Sequence, residues 1–478
     1  MTMLQPAPPV TTAPAPKQKK APLPLWPNGW FGINLGYPDW YNGGIEWEDH
    51  AHRRGDWQKA LSSGAAVQPP VLAAVDAADN PTESASAQLI GQFNYPGGPY
   101  TFTGPSDAKL LGPGVVSGAG SAYVLNGTGG VSAFLPTGGG PVSLTPASPA
   151  GDLFTAQFLS MLDSVKPAII RAGQWQRINE CGQDTRQGWL PDWEGRAKLT
   201  DSRWAADQGT PFELIIALAS QTKAWPWVYI PHLADETYVR GMAALFRDAK
   251  LPGLFVEFSN ELWNAFLSPG AWAKTNGGKK PGIFAGQQAA RAFDWWNAEW
   301  KDDRTHFVCM GALVDRGVFL SDMLSQLGGR PTVTGCSGYV PVSVTKYLGL
   351  ADKGKSLTPA QLLADMQENM IDVLASVRAH VAIGDAIGAK TALYEAAPSA
   401  IPSGRPWANA ALALDQLPEM QSFARDLLVG LRGAGADYMN WFDLCGDPST
   451  QSGSFGLWYD YLTSTKKLAG VREALGLS

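Results

Sequence analysis

From about residue 152 onwards the chain repeats one rhythm of apolar strand, loop and helix, and that repetition constrains the fold more than any other feature. Candidate strands are AIIRAG (168–173), FELIIAL (212–218), GLFVEFS (253–259), HFVCMGAL (306–313), TVTGCS (332–337), TALYEA (391–396) and DYMNWF (437–442). Helical patterns lie between them. In VRGMAALFRDA, for instance, Val239, Met242, Leu245 and Phe246 recur at the spacing of an amphipathic helix. With WFGINL near residue 30 the strands number eight, each after the first followed closely by a helix. Eight alternating units predict an α/β fold, a closed (β/α)8 TIM barrel. An open doubly wound sheet is the rival, but no GxGxxG fingerprint opens a helix.

Two segments break the rhythm. Residues 1–25 are rich in Pro and Ala with a basic cluster at Lys17, Lys19 and Lys20. This reads as an extended arm that could anchor the protein to another one. It lacks the apolar core of a secretory signal peptide, so export by another route, or a missing leader, is needed for the extracellular or virion/cell-surface location that the other features favour. Residues 26–87 hold the first barrel strand and its aromatic, acidic loop. Residues 88–150 are Gly-, Ser- and Thr-rich, with short β-like runs such as PYTFT, AYVLN and VSAFL. They predict an inserted, sandwich-like all-β domain after the first strand, with 151–478 completing the barrel. The insertion carries one carboxylate, Asp107, and is not expected to supply catalytic groups.

Composition narrows the ligand. A formal net charge of −6 argues against a nucleic-acid partner. No apolar run reaches the roughly 18 residues of a membrane span. Cys181, Cys309, Cys336 and Cys445 form no CxxC pair, so no metal is expected, and their pairing cannot be read from spacing. Only 17% of residues are charged, yet there are 19 Trp. Indoles suit flat, uncharged ligands such as sugar rings, although many of them must also serve as core.

In a barrel, chemistry belongs at the C-terminal ends of the strands. Two carboxylates directly follow apolar strands there: Glu261 in EFSNE, after the fourth, and Glu395 in ALYEA, after the seventh. A pair facing one bond is what glycoside hydrolysis requires. A Glu at a strand end can instead simply pair with an Arg, and Arg171 is a candidate partner for either.

The Ser-Asn-Glu of the fourth strand, Glu395, and Trp441 at the end of the eighth together resemble the clan A glycoside hydrolases, retaining (β/α)8 enzymes. The run from WPWVYIPH to FVEFSNELWN is similar to bacterial cellulase-like proteins of that clan, often labelled cellulose-binding, in which a β module interrupts the chain early. The resemblance covers roughly residues 30–475. It implies a β-linked poly- or oligosaccharide substrate cleaved with retention and no cofactor, with Glu261 as acid/base and Glu395 as nucleophile. It further implies that Asn260 holds the sugar 2-hydroxyl, that Trp441 forms the floor beneath that sugar, and that His232 and Tyr339 assist. Arg171 would orient a carboxylate, and Trp225 and Trp227 would line outer subsites. The sequence departs from the clan pattern where Ala-Ala-Pro-Ser follows Glu395. A catalytically silent carbohydrate-binding barrel and a surface or virion attachment protein are the alternatives.

Overall fold

Eight parallel strands close into a barrel in sequential order, the last pairing with the first. They are β1 (Phe31–Asn34), β2 (Ile169–Arg171), β3 (Trp225–Ile230), β4 (Leu254–Phe258), β5 (Thr305–Met310), β6 (Val333–Cys336), β7 (Lys390–Ala396) and β8 (Tyr438–Trp441). The computed structural model describes residues 27–39, 46–76, 78–91, 93–147, 153–184, 188–300, 304–312, 317–342, 356–446, 453–460 and 462–477. The Pro-rich arm at 1–25 lies outside them, as does the middle of the aromatic loop after β1 (40–45).

One expected strand is corrected. FELIIAL belongs to a helix, Phe212–Thr222, and the third strand is WPWVYI. Phe212, Leu214, Ile215 and Leu218 are the buried face of that helix. The count of eight survives, so Glu261 still follows the fourth strand and Glu395 still ends the seventh.

Strand alternation sorts side chains into two layers. Trp225, Trp227, Tyr229, Phe255, Val308, Met310, Ala392, Tyr394 and Tyr438 form the cluster inside the barrel. Val228, Ile230, Val256, Phe258 and Met439 belong to the larger core. The helices start and stop on local signals. Asp235 caps Glu236–Asp248 by accepting from the Tyr238 N–H, and Val239, Met242 and Phe246 are buried on its inner face. Thr358 and Gln361 form a capping box that opens the 29-residue helix Pro359–Ile387.

Between β1 and β2 the chain forms two four-stranded antiparallel sheets. One contains Gln58–Lys59, Ala85–Ile90, Lys109–Leu111 and Val131–Leu135; the other contains Gly98–Thr103, Val115–Ala119, Ala122–Leu125 and Ser143–Pro146. The β structure thus begins before residue 88. Its strands Ala85–Ile90 and Val131–Leu135 bury nearly every residue, and Leu144 N–H bonds Asp49 at the start of the insertion.

A buried ion pair fastens the final helix, Lys466–Ala474, to Asp415 at the end of helix Ala408–Leu414, between β7 and β8, and Ser454 of the loop after β8 joins it. Lys467 and Asp415 are almost wholly buried, with Nζ 2.8 Å from Oδ2, and Nζ also donates to the Ser454 carbonyl at 3.1 Å. Ser454 Oγ donates to the same carboxylate. Removing one partner strands a charge, whereas removing both does not. Lys467→Met should therefore cost about 3–5 kcal/mol in urea unfolding, and adding Asp415→Leu should recover most of it. A single-variant loss below about 1 kcal/mol would show that the pair is not needed to hold this helix.

Candidate active site

Arg171, the last residue of β2, is fully buried and organises the strand ends. Its Nη1 bonds Glu395 Oε1 at 2.5 Å and Asn34 Oδ1 at 2.7 Å, while Nη2 bonds Asn260 Oδ1 at 2.7 Å. The rings of Trp227, Tyr229 and Tyr394 surround the guanidinium, with centroids 5.7, 5.1 and 5.1 Å away. Asn34 in turn donates from Nδ2 to the carbonyls of Tyr394 and Trp441, which ties β1 to β7 and β8.

The two carboxylates have different surroundings. Glu395 is buried and accepts from Arg171 and from Tyr339 Oη, the latter at 2.8 Å. Glu261 is partly buried and, among the described residues, accepts from two neutral groups, Tyr394 Oη at 2.7 Å and Asn264 Nδ2 at 2.8 Å. Burial, and then the charge of Glu395, push the Glu261 carboxyl up to about 7. Burial and the adjacent carboxylates push both phenols well above their usual range, so they remain donors.

Backbone irregularities aim these groups. Ser259 and Glu261 have φ of 56° and 44°, a left-handed conformation uncommon away from glycine, and they flank Asn260. The β7–β8 register shifts between Leu393 and Ala396, at Tyr394 and Glu395. A bulge there lets consecutive side chains reach the same region, Tyr394 to Glu261 and Glu395 to Arg171.

The other expected site residues divide. Asn260 is in the network, and its Nδ2 donates to Asn179 Oδ1 at 2.9 Å. His232 is buried beside Ser259 Oγ (3.4 Å) and the Trp272 ring (5.0 Å), and burial lowers it to about 4. It supports the strand end and is no partner of either carboxylate. Trp225 and Trp227 are corrected, because both lie inside the barrel. Trp225 begins β3, at the end opposite the site, and stacks on His306. Trp227 lies against Arg171 and donates to buried Glu257.

Trp441 is also corrected. It is 0% exposed, in the outer core layer, with its indole N–H bonded to the Phe455 carbonyl. Its neighbour Phe442 is partly exposed, with its ring 6.1 Å from Tyr339 and 5.6 Å from Phe455. The aromatic group beside Glu395 is therefore Tyr339, Phe442 and Phe455. Sequence reasoning passed over Phe442, Tyr394 and Asn264. Strand parity was the available signal for Phe442 and nearness to Glu261 for Asn264, while regular strand alternation gave none for Tyr394.

All four cysteines are buried. Among the described residues no cluster of three His, Cys, Asp or Glu could hold a metal, and no helix is long and apolar enough to cross a membrane. Also among the described residues, no side chain of the β insertion is a hydrogen-bond partner of Glu261 or Glu395.

No family model and no curated protein sequence matches the chain. Its fold is similar to that of solved glycoside hydrolases. An α-L-arabinofuranosidase from Thermotoga maritima matches at 14% identity and a TM-score of 0.40, over 68% of this chain and 64% of that one. The chain thus spans less than two thirds of that enzyme's length. Xylanase10C from Cellvibrio japonicus matches at 9% identity and 0.40, over 88% and 98%. A fungal β-1,4-galactanase matches at 12% and 0.37, over 65% and 89%. Likenesses this distant carry no substrate or activity to this chain.

Glu257 offers a test of the electrostatics. Burial raises it to about 8, and burial likewise raises Glu46 and Asp443 to about 7. A carboxyl raised on folding binds more protons in the native state, so its contribution to stability falls as pH rises from the unfolded value through the folded one. Burial lowers His50 and His232 to about 4, which acts oppositely below about 6.5. Above that pH the histidine contribution fades, while the raised carboxyls, Glu261 among them, and the buried thiols of Cys181 and Cys309 all act in the same direction. Glu257→Gln should keep the Trp227 bond and flatten the fall in melting temperature between about pH 6.5 and 8.5. An unchanged slope would mean that Glu257 ionises as freely folded as unfolded.

Proposed function

We propose that this protein is a retaining glycoside hydrolase acting on a β-linked poly- or oligosaccharide, with Glu395 as nucleophile and Glu261 as acid/base. The supporting observation is the division of labour between two carboxylates at the mouth of one barrel. Glu395 is paired with a guanidinium and a phenol, whereas Glu261 sits among neutral donors with its proton affinity raised. Environments that push two carboxyls apart are the usual basis of acid and nucleophile assignments.

In the first step Glu395 attacks the anomeric carbon while Glu261 protonates the departing oxygen, forming a glycosyl ester on Glu395. In the second, Glu261 takes a proton from water as it attacks the same carbon, releasing sugar and the Glu395 carboxylate. Consuming Glu395's negative charge in the ester lowers the proton affinity of Glu261, which suits its change from acid to base. Arg171 and Tyr339 orient the nucleophile, and Asn260 offers its remaining N–H to the 2-hydroxyl. Phe442, rather than Trp441, forms the apolar floor. The β insertion acts as a separate domain that shapes or docks rather than catalyses, and the arm at 1–25 serves as an anchor.

Glu395→Gln should abolish turnover of every substrate. Glu261→Gln should spare substrates whose leaving group needs no proton, and azide should rescue it as a β-glycosyl azide. In the unaltered protein kcat/KM should fall above about pH 7, and that limb should vanish in Glu261→Gln with activated substrates. Products of inverted configuration, followed by proton NMR, would defeat the retaining mechanism. Phe442→Ala should raise KM with little loss of melting temperature, whereas Trp441→Ala should lose about 3–5 kcal/mol of stability. The opposite pattern would restore Trp441 as the floor.

A further inference from the structure

Phe266 is the most exposed large hydrophobic side chain among the described residues, at 87%. It lies five residues beyond Glu261, in a loop whose geometry is set by one amide. Asn264 donates from Nδ2 to Glu261 Oε2 at 2.8 Å and accepts from the Phe266 backbone N–H on Oδ1 at 3.1 Å. The same side chain that holds the carboxylate therefore fixes the backbone bearing the exposed ring. Two further bonds close the loop, from Asn264 N–H to the Glu261 carbonyl (2.7 Å) and from Leu267 N–H to the Asn264 carbonyl (3.0 Å).

The rim continues onto neighbouring strand ends. Ser268 Oγ donates to the Cys181 carbonyl at 2.7 Å, joining the loop after β4 to the loop after β2. A Cβ on Gly182 would come within 2.7 Å of the Leu233 side chain, so the loop after β3 meets them as well. Leu233 and Leu190 on these loops are 38% and 70% exposed. The Glu395 side has its own aromatic group in Tyr339, Phe442 and Phe455. Exposed apolar side chains thus occur on the linked loops that include the Glu261 loop, apart from the aromatic group beside Glu395.

We infer that Phe266 is the stacking platform for the leaving-group portion of the glycan, the sugar released when the bond breaks. The inference rests on the reading of Glu261 as the acid. A proton donor lies beside the departing oxygen, so a ring fixed through the donor's own hydrogen-bond partner lies along the departing chain. An exposed ring loses little on folding and gains contact when a sugar's C–H face covers it. The ligand class is a β-linked chain that continues past the cleaved bond, which makes the protein prefer internal linkages of a polymer.

The test compares two leaving groups. Wild type, Phe266→Ala and Phe266→Trp are assayed on barley β-glucan, xylan and β-1,4-galactan, and on the β-fluorides of glucose, xylose and galactose. Fluoride leaves without occupying the platform. Phe266→Ala should lose at least tenfold in kcat/KM on whichever polymer is cleaved, mainly through KM, and less than twofold on the fluoride. Phe266→Trp should retain polymer activity, and the melting temperature should not move. No loss on the polymer would overturn the platform, and so would equal losses on polymer and fluoride, which would mean disturbed chemistry at Glu261. Wild-type protein inert on every substrate would instead count against the hydrolase reading, and the inference would fall with it.

Discussion

The geometry at the barrel mouth depends on one buried cation. Arg171 keeps its charge at any ordinary pH, and it lies where water cannot solvate it. A buried charge of that kind is tolerable only when paired and hydrogen-bonded. Glu395 provides the countercharge, Asn34 and Asn260 provide neutral acceptors, and three aromatic rings provide their faces. Those partners come from β1, β3, β7 and the turn directly after β4, so bonding one guanidinium ties four strands together. The same demand accounts for Trp227, an indole inside a barrel that serves the cation instead of a ligand.

The Glu261 side follows from what Arg171 leaves unsatisfied. Its two Nη groups bond Glu395 and the two asparagines, and among the described residues Glu261 bonds a phenol and an amide instead. A carboxyl buried among neutral donors next to another negative charge holds its proton more strongly. Left-handed backbone at Ser259 and Glu261 is the local cost of turning an amide and a carboxylate out of a packed strand. That strand is apolar because barrel and helices bury it on both sides, and it ends polar because Arg171 and Tyr394 need partners there.

Much of this was legible in the residues, and the misses have physical causes. Eight strands were countable because apolar runs alternate with long amphipathic helices. FELIIAL misled because a seven-residue apolar run fits a strand and a buried helix equally well. Pro226 hid the true third strand, since proline within a run argues against a ladder position. The errors cancelled, which preserved the positions of Glu261 and Glu395. Trp441 misled by chemistry: an indole at a strand end looks like a sugar platform, but period-two alternation puts it in the outer layer and turns its neighbour Phe442 toward Tyr339. Tyr394 was hidden because a regular strand would send it away from its neighbour Glu395, and only the register shift brings both into the site.

The retaining mechanism requires a covalent bond to form at Glu395. The most direct measurement is intact-protein and peptide mass spectrometry after incubation with 2-deoxy-2-fluoro-β-glycosyl fluorides of the gluco, xylo and galacto series. These trap a glycosyl ester when a carboxylate attacks the anomeric carbon. The expected result is one added fluorosugar per chain, on the peptide containing Glu395, and none in Glu395→Gln. Label on another residue, or turnover of the parent glycoside with no label at all, would contradict it.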